Sequence, residues 1–292
     1  MKTRKEKLFG LLVLLIIYAV AVAAGVLLFR ILEGKMHILN VLLLCDILAT
    51  VIVWLFGVLF RTASVYDPYW SLQTLFIYFG LLLYYGNWNV YTIVALAVIG
   101  IYSIRLTGNF IIGFHSLSYI DWRYKMLKEK TGIFYQLVNL FGICMFPTMV
   151  VFSASLPLFI YAGLSEFSLL DLIGNAVILL GVGLELVSDI QMKEFIKTRT
   201  SREEVIDIGL WRYSRHPNYL GEILVWFGVY LILLIAHLNY WYLFFGAIIN
   251  LLMFLFISIP MEEKHMKAYK PELEEYIKST SVLVPLPKKK KD

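Results

Sequence analysis

The sequence predicts an all-α fold, a polytopic bundle of transmembrane helices. Three observations carry that expectation. Of 292 residues, 60% are apolar and 16% charged, where soluble domains run near a half and a quarter. Apolar runs close to the length of a bilayer-crossing helix recur along the whole chain. Lys and Arg alternate between the loops that join those runs, as the positive-inside rule requires. A soluble enzyme fold of this length is excluded, because the composition cannot supply its polar shell.

Eight runs emerge in order: Leu8 to Phe29, Ile38 to Phe60, Tyr69 to Tyr85, Val90 to Phe114, Ile133 to Tyr161, Ser168 to Ser188, Tyr219 to Ala236 and Tyr240 to Ile259. The first is too long for a signal-peptide core and no small-residue cleavage pattern follows it, so it reads as a retained anchor. The third and seventh are short, and the fifth carries Pro147 and Pro157. With eight spans, 24 of the 26 basic residues share a side with both termini, and only Arg30 and Lys35 lie opposite. Eight spans with cytoplasmic termini are therefore expected, with seven as the alternative. No linker separates a second domain. The C-terminal core, 134–287, reads as the cofactor-binding part, and 1–133 as spans forming a lipid-substrate pocket.

The formal charge of +5 is modest and scattered, which points to a membrane surface and not to nucleic acid. Cys45 and Cys144 lie inside apolar runs and read as small hydrophobes, without a disulfide framework. His115, His265, Glu262 and Glu263 lack the spacing of metal ligands, so no metal is expected. Lys288 to Lys291 reads as a solvated tail near anionic head groups and also fits a dilysine retrieval signal.

Ionisable groups inside spans are costly, and each is a candidate for a site. Glu185, Asp189 and Lys193 follow at four-residue spacing, which stacks them on one helix face. They form either a self-neutralising ladder or a polar wall for a charged cofactor. Gly181 and Gly183 precede them and read as helix-packing positions.

The densest segment is Ile208 to Trp226, IGLWRYSRHPNYLGEILVW. Arg202, Arg212, Arg215 and His216 approach a helix that begins at Pro217, a favoured first position. The free amides and dipole of such a helix start suit a phosphate. Asn218 and Tyr219 add donors, and Glu222 and Trp226 follow on the same face. An amphipathic loop with snorkelling arginines is the alternative, and a phosphate-bearing ligand is the expectation. In the fourth span Tyr102 and Arg105 share a face, and Asp67 follows the second span in SVYDPYW. Interface anchoring and turn initiation are the stronger accounts of Arg105 and Asp67.

At Arg215 to Trp226, RHPNYLGEILVW, the chain resembles the steroid 5-alpha-reductase family in its broad sense, particularly bacterial-type membrane relatives of unassigned substrate. The likeness runs from Phe134 to Pro287 and includes Tyr269, Tyr276 and Pro285 near the end. RHPNYLG also looks like the matching segment of sterol reductases. The resemblance implies a multi-pass membrane oxidoreductase acting on CH–CH groups, which binds NADPH and saturates a carbon–carbon double bond of a lipid, in the endoplasmic reticulum or in a bacterial inner or plasma membrane. It implies cofactor contacts at Asp189, Asn218 and Tyr219, with Tyr269 near the nicotinamide or ribose. Lys193 and Glu222 flank that set. Arg199, Arg202, Arg212 and Arg215 are candidates for the extra phosphate. Glu185 stands where the family has an asparagine.

By the same resemblance a tyrosine and a glutamate polarise the carbonyl of the substrate. Tyr102 best matches the tyrosine, with Arg105 beside it and Trp226 facing substrate. The glutamate has no clear counterpart, and Asp67 is a positional match only, which argues against a steroid. An alternative reading is an S-adenosylmethionine-dependent methyltransferase of the isoprenylcysteine or phospholipid type, whose RHP segment and Glu-Glu pair resemble RHPNYLG and Glu262–Glu263. A non-enzymatic scaffold or transporter is a third.

Overall fold

The computed structural model describes residues 2–288. The elements in order are α1 (Lys2–Leu32), α2 (Ile38–Leu59), a 3-10 turn at Ala63–Val65, α3 (Tyr69–Tyr85), α4 (Val90–Gly113), α5 (Trp122–Thr131), α6 (Tyr135–Val138), α7 (Phe146–Tyr161), α8 (Asp171–Thr198), α9 (Pro217–Leu234), α10 (Phe244–Met253), α11 (Ile259–Lys267) and α12 (Leu273–Ser279). Among the described residues seven helical stretches are long and apolar enough to cross a membrane: Arg4–Leu32, Ile38–Leu59, Val90–Gly113, Trp122–Tyr161, Asp171–Thr198, Pro217–Leu234 and Leu238–Lys267. The protein is an all-helical, multi-pass membrane protein. Lys289 to Lys291, most of the basic tail, lie outside the described residues.

Two stretches of π-helix explain how prolines sit inside these long helices. Asn139–Met145 ends two residues before Pro147, and Phe254–Ser258 ends two residues before Pro260. A proline ring collides with the carbonyl four residues earlier and offers no amide hydrogen. One wider turn moves that carbonyl aside and keeps the helix running.

The chain divides into two compact units, Met1–Trp88 with Ile99–Ser153, and Asn89–Val98 with Ala154–Asp292. In the first, the connection from α2 to α3 turns inward. Thr62 to Tyr66 are all buried, and their polar groups are satisfied inside the protein. Thr62 N donates to Gly57 O at 2.9 Å, Ser64 N to Thr62 Oγ1 at 3.2 Å and Tyr66 N to Ala63 O at 2.9 Å, while Val65 O accepts from the Tyr18 hydroxyl at 2.8 Å. Irregular backbone among apolar helices is tolerated only under such cover. The fold-back makes α3 short, at 17 residues, because its first residue already lies level with the middle of α2.

In the second unit, α8 and α9 run antiparallel at very close range. A Cβ on Gly181 would lie 2.5 Å from the Gly221 carbonyl, and one on Gly228 would lie 2.8 Å from that of Gly174. Gly174 and Gly181 are seven residues apart, as are Gly221 and Gly228, so the four glycines form one seam along the pair. Gly183 faces open space; of the two glycines expected to pack, Gly181 does so and Gly183 does not.

Candidate functional site

The second unit contains the segment singled out by its cations. Five hydrogen bonds hold it. Gly209 adopts φ +56 and packs on Gln191, whose Oε1 accepts from Leu210 N at 2.9 Å. Trp211 Nε1 donates to Ser188 O at 3.1 Å. Tyr276 donates to the Trp211 carbonyl. Arg215 N donates to Ser281 O at 2.8 Å, and Leu286 N to Tyr213 O at 3.1 Å. The end of α8 and the C-terminal segment thus fix the approach to α9.

The cations of this approach divide into two sets. Glu263 Oε1 lies 3.2 Å from Arg215 Nη1 and 3.0 Å from His216 Nε2, and all three side chains are largely buried. One carboxylate therefore lies against two of the expected phosphate ligands. His216 also stacks on Tyr219 at 5.2 Å, and Tyr219 packs on Phe254 at 4.7 Å. Arg202 and Arg212 are exposed and Arg199 is half-buried. Arg199 and Arg202 act electrostatically on Tyr269, and Arg199 on Lys270 as well. Burial raises the Tyr269 hydroxyl above its ordinary pKa, and Glu262 adds to that, while the two arginines oppose it. Burial also lowers Lys270, with Arg199 adding to the shift, and its ammonium donates to the Glu204 carbonyl.

At the start of α9, Asn218 carries a buried Oδ1 with no hydrogen-bond partner among the described residues. A buried acceptor left unmet is costly, and a donor from a ligand would satisfy it. Further along, Trp226 Nε1 donates to Glu222 Oε1 at 2.7 Å. Glu185 is buried against the α8–α9 seam, its Cγ only 2.5 Å from where a Cβ on Gly221 would stand. Asp189 is half-buried and Lys193 exposed.

The first unit contains a cavity of about 480 Å³ formed by α1, α2 and α3. Its walls are mostly apolar, among them Val22, Val26, Leu42, Leu72, Phe76 and Leu81. One end is polar. The Tyr69 hydroxyl donates to Asp46 Oδ1 at 2.6 Å, and Gln73 Nε2 donates to Asp46 Oδ2 at 3.1 Å. Gln73 Oε1 is buried without a partner. Behind this group runs a line of hydroxyls: Tyr66 to Thr148 Oγ1 at 2.8 Å, and Thr148 Oγ1 to Thr50 Oγ1 at 3.0 Å, with Thr50 facing the Tyr69 hydroxyl. At the other end the cavity meets Arg30 and Glu33.

A family model described as a protein of unknown function, DUF1295, matches residues 7–280. The chain belongs to that family. No curated protein and no solved structure matches it significantly. The family match covers both the cavity and the cationic approach to α9.

Of the residues expected to act on substrate, Tyr102, Arg105 and Asp67 belong to the first unit and do not line its cavity. Tyr102, on α4, is fully buried and does not line it. Arg105, one turn on, is half-buried, and Trp226 belongs to the other unit. Asp67 sits in the α2–α3 connection, where it accepts from the Tyr124 hydroxyl. Burial raises its carboxyl to about 6, with Arg123 and Tyr124 pulling the other way. Asp46, Tyr69 and Gln73 are not evident as a site from the sequence, although a signal exists. Asp46 is the one acidic or basic residue in α2, and a charged group within a span is by default a site. Among the described residues no group of three or more His, Cys, Asp or Glu is arranged to hold a metal.

Proposed function

We propose that this protein is an NADPH-dependent reductase of a carbon–carbon double bond conjugated to a carbonyl in a lipid. The observation that carries this reading is the Tyr69–Asp46 pair at the polar end of an apolar cavity. Reduction of an enone develops negative charge on the carbonyl oxygen, and a positioned hydroxyl in a dry site stabilises that charge. With Asp46 ionised, the Tyr69 hydroxyl is directed at the carboxylate. A proton on Asp46 reverses that hydrogen bond and frees the tyrosine to donate to a substrate carbonyl. The Tyr66, Thr148 and Thr50 hydroxyls adjoin Tyr69 and offer a path by which a proton is replaced.

The residues of the second unit fit a nucleotide with several phosphates. Arg199, Arg202 and Arg212 remain outside the Glu263 cluster, the amides of α9 open at Pro217, and the orphaned Asn218 Oδ1 suits a hydroxyl or carboxamide donor. When bound, NADPH supplies the hydride. Arg215 and His216 lie against Glu263 and shape the approach, and the Arg215 Nε, buried without a hydrogen-bond partner among the described residues, stays available to a phosphate. The lipid substrate implies no nucleic-acid partner and a membrane setting.

Thermal-shift titration of the purified protein tests the cofactor. NADPH raises the melting temperature and S-adenosylmethionine does not, because only a ligand of the native state stabilises it. Asn218→Ala weakens NADPH at least tenfold, about 1.4 kcal/mol. Stabilisation by S-adenosylmethionine alone would establish the methyltransferase reading, and stabilisation by neither the scaffold or transporter reading.

A further inference from the structure

One carboxyl of the first unit stands outside its cavity and close to water. Asp67, in the α2–α3 connection, is half-buried and accepts from the Tyr124 hydroxyl on α5. The charged and titratable groups around it are Tyr18 of α1, Tyr66 of its own connection, Cys144 of the π-helical stretch, and Asp121, Arg123 and Tyr124 at the start of α5. Asp121 and Arg123 pair at 2.8 Å with side chains 23% and 40% exposed. Asp67 therefore lies within one residue of the solvent on the α5 side.

Inward from Asp67 runs a line of hydroxyls that closes on a second carboxyl. Asp67 and Asp46 both act electrostatically on the Tyr66 hydroxyl. Tyr66 bonds to Thr148 Oγ1 at 2.8 Å, Thr148 Oγ1 to Thr50 Oγ1 at 3.0 Å, Thr50 faces the Tyr69 hydroxyl, and Tyr69 donates to Asp46 at 2.6 Å. Thr50 and Thr148 are 0% exposed and Tyr66 only 2%, so a proton that travels this line is carried by the hydroxyls themselves. Among the described residues Asp67 and the Tyr66 hydroxyl share no direct hydrogen bond, and a single bridging water completes that step.

Thr148 is the junction. Its hydrogen rests on the Cys144 carbonyl at 3.0 Å, which leaves its oxygen to accept from both Tyr66 and Thr50. A hydroxyl hydrogen rotates to suit its partners. Turning that of Thr148 to Thr50, and that of Thr50 to Tyr69, joins the line in one direction. The Cys144 bond alone satisfies a threonine inside a helix. The contacts with Tyr66 and Thr50 come in addition and tie α7 to α2 and to the connection that carries Asp67.

The proposed reduction gives such a line a use. Hydride added to one carbon of the double bond leaves an enolate, whose neighbouring carbon then takes a proton, so each turnover consumes one. That proton leaves the Tyr69–Asp46 pair, which must regain it. Of the residues lining the cavity, the other carboxyl, Glu33, is already engaged by Arg30 at 3.5 Å.

We propose that Asp67 is the proton-entry residue of this site, taking protons from water on the α5 side and passing them through Tyr66, Thr148 and Thr50 to Tyr69 and Asp46. The inference rests on the proposed enone reduction. In each passage Asp67 gives up one proton, every hydroxyl accepts one and releases one, and the Tyr69–Asp46 pair gains one; Asp67 reloads from water. Burial raises the Asp67 carboxyl to about 6, with Arg123 and Tyr124 opposing, and a carboxyl in that range both holds and releases a proton near neutral pH.

Two measurements on the full-length protein in phosphatidylcholine nanodiscs test this. In the first, without NADPH, the pH is jumped from alkaline to acid and the infrared band of the Asp46 carboxyl, assigned by its loss in Asp46→Asn, is followed in time. Protonation of Asp46 is slower by about tenfold or more in Asp67→Asn and in Thr148→Val, while Thr148→Ser, which keeps the hydroxyl, retains the wild-type rate. Sodium azide, a small proton carrier, restores the rate in Asp67→Asn, where the water-facing end is missing, and not in Thr148→Val, where the line itself is cut. A merely structural role of Asp67 would not respond to azide. In the second, NADPH oxidation with a linear trans-enone ketone or a tetracyclic steroid enone shows the same pattern in kcat, with KM changed less than about threefold. A wild-type rate of Asp46 protonation in either variant overturns the inference, since protons then arrive through the cavity, and leaves the enone reading standing; so does a slow Asp67→Asn that azide fails to relieve. Absence of NADPH oxidation by the wild type with either enone overturns the reduction beneath the inference, whatever the infrared result.

Discussion

Tyr69, the first residue of α3, donates its hydroxyl to Asp46 in the middle of α2 at 2.6 Å. The pairing depends on the inward fold of Thr62 to Tyr66, since a surface connection would start α3 a dozen residues away from Asp46.

Removing that hydroxyl with Tyr69→Phe keeps the ring in its apolar surroundings and takes away the donor. Turnover of a conjugated enone should fall by about 10²–10³-fold, as for the loss of one oxyanion donor, with KM changed less than threefold. Steady-state oxidation of NADPH measures both. A loss confined to KM would make Tyr69 a contributor to uniform binding.

The α8–α9 seam leaves no room for a side chain. Gly221→Leu must push Glu185 and the facing backbone apart, so that folded protein is lost or its melting temperature drops by about 5 °C or more, in keeping with a severe overpacking cost of about 3 kcal/mol. Gly183→Ala, which meets open space, leaves the melting temperature within about 1 °C and provides the control. Size-exclusion chromatography and thermal denaturation of the two variants read out the contrast.

Glu263 contacts both Arg215 and His216 and is the ion-pair partner of the Arg215 guanidinium. Glu263→Gln leaves an uncompensated guanidinium in a largely buried position, which costs about 3 kcal/mol where one partner of a buried pair is removed. The melting temperature should fall by several degrees, and NADPH affinity should fall with it because the Ile208–His216 segment loosens. Equal affinity in a correctly folded variant would separate the segment from cofactor binding.

Asp67 gives a pH dependence of defined sign. Its carboxyl is raised by burial to about 6 in the folded protein, above the roughly 3.9 of a free aspartate. The protonated form is therefore the one that folding favours. Its contribution is complete below about pH 4 and is lost as pH rises through about 6. Melting temperature should decline across that window, and Asp67→Asn should flatten the decline and raise stability at pH 7. An unchanged slope in that variant would assign the dependence to another group.

Much of this architecture is legible in the chain itself. Apolar run lengths place the long helices, because backbone amides in lipid have no partner but the helix itself. The segment from Arg202 to Trp226 announces itself by its density of polar types, and Pro217 marks the helix start that the structure contains. Other features depend on side chains meeting across helices. Nothing in the spacing of Arg215, His216 and Glu263 tells that one carboxylate meets both the guanidinium and the imidazole, since 47 residues separate His216 from Glu263. Nor does the order of the chain bring Asp46 to Tyr69 and Gln73.

The sequence by itself determined that the protein is helical and membrane-embedded, because hydrophobic transfer and the demand for internal hydrogen bonds act on local composition. Only the tertiary structure decided which polar residues share a site. That choice follows from the burial of one connecting loop and from four glycines that let two helices touch, and both are effects of packing between segments distant in the chain.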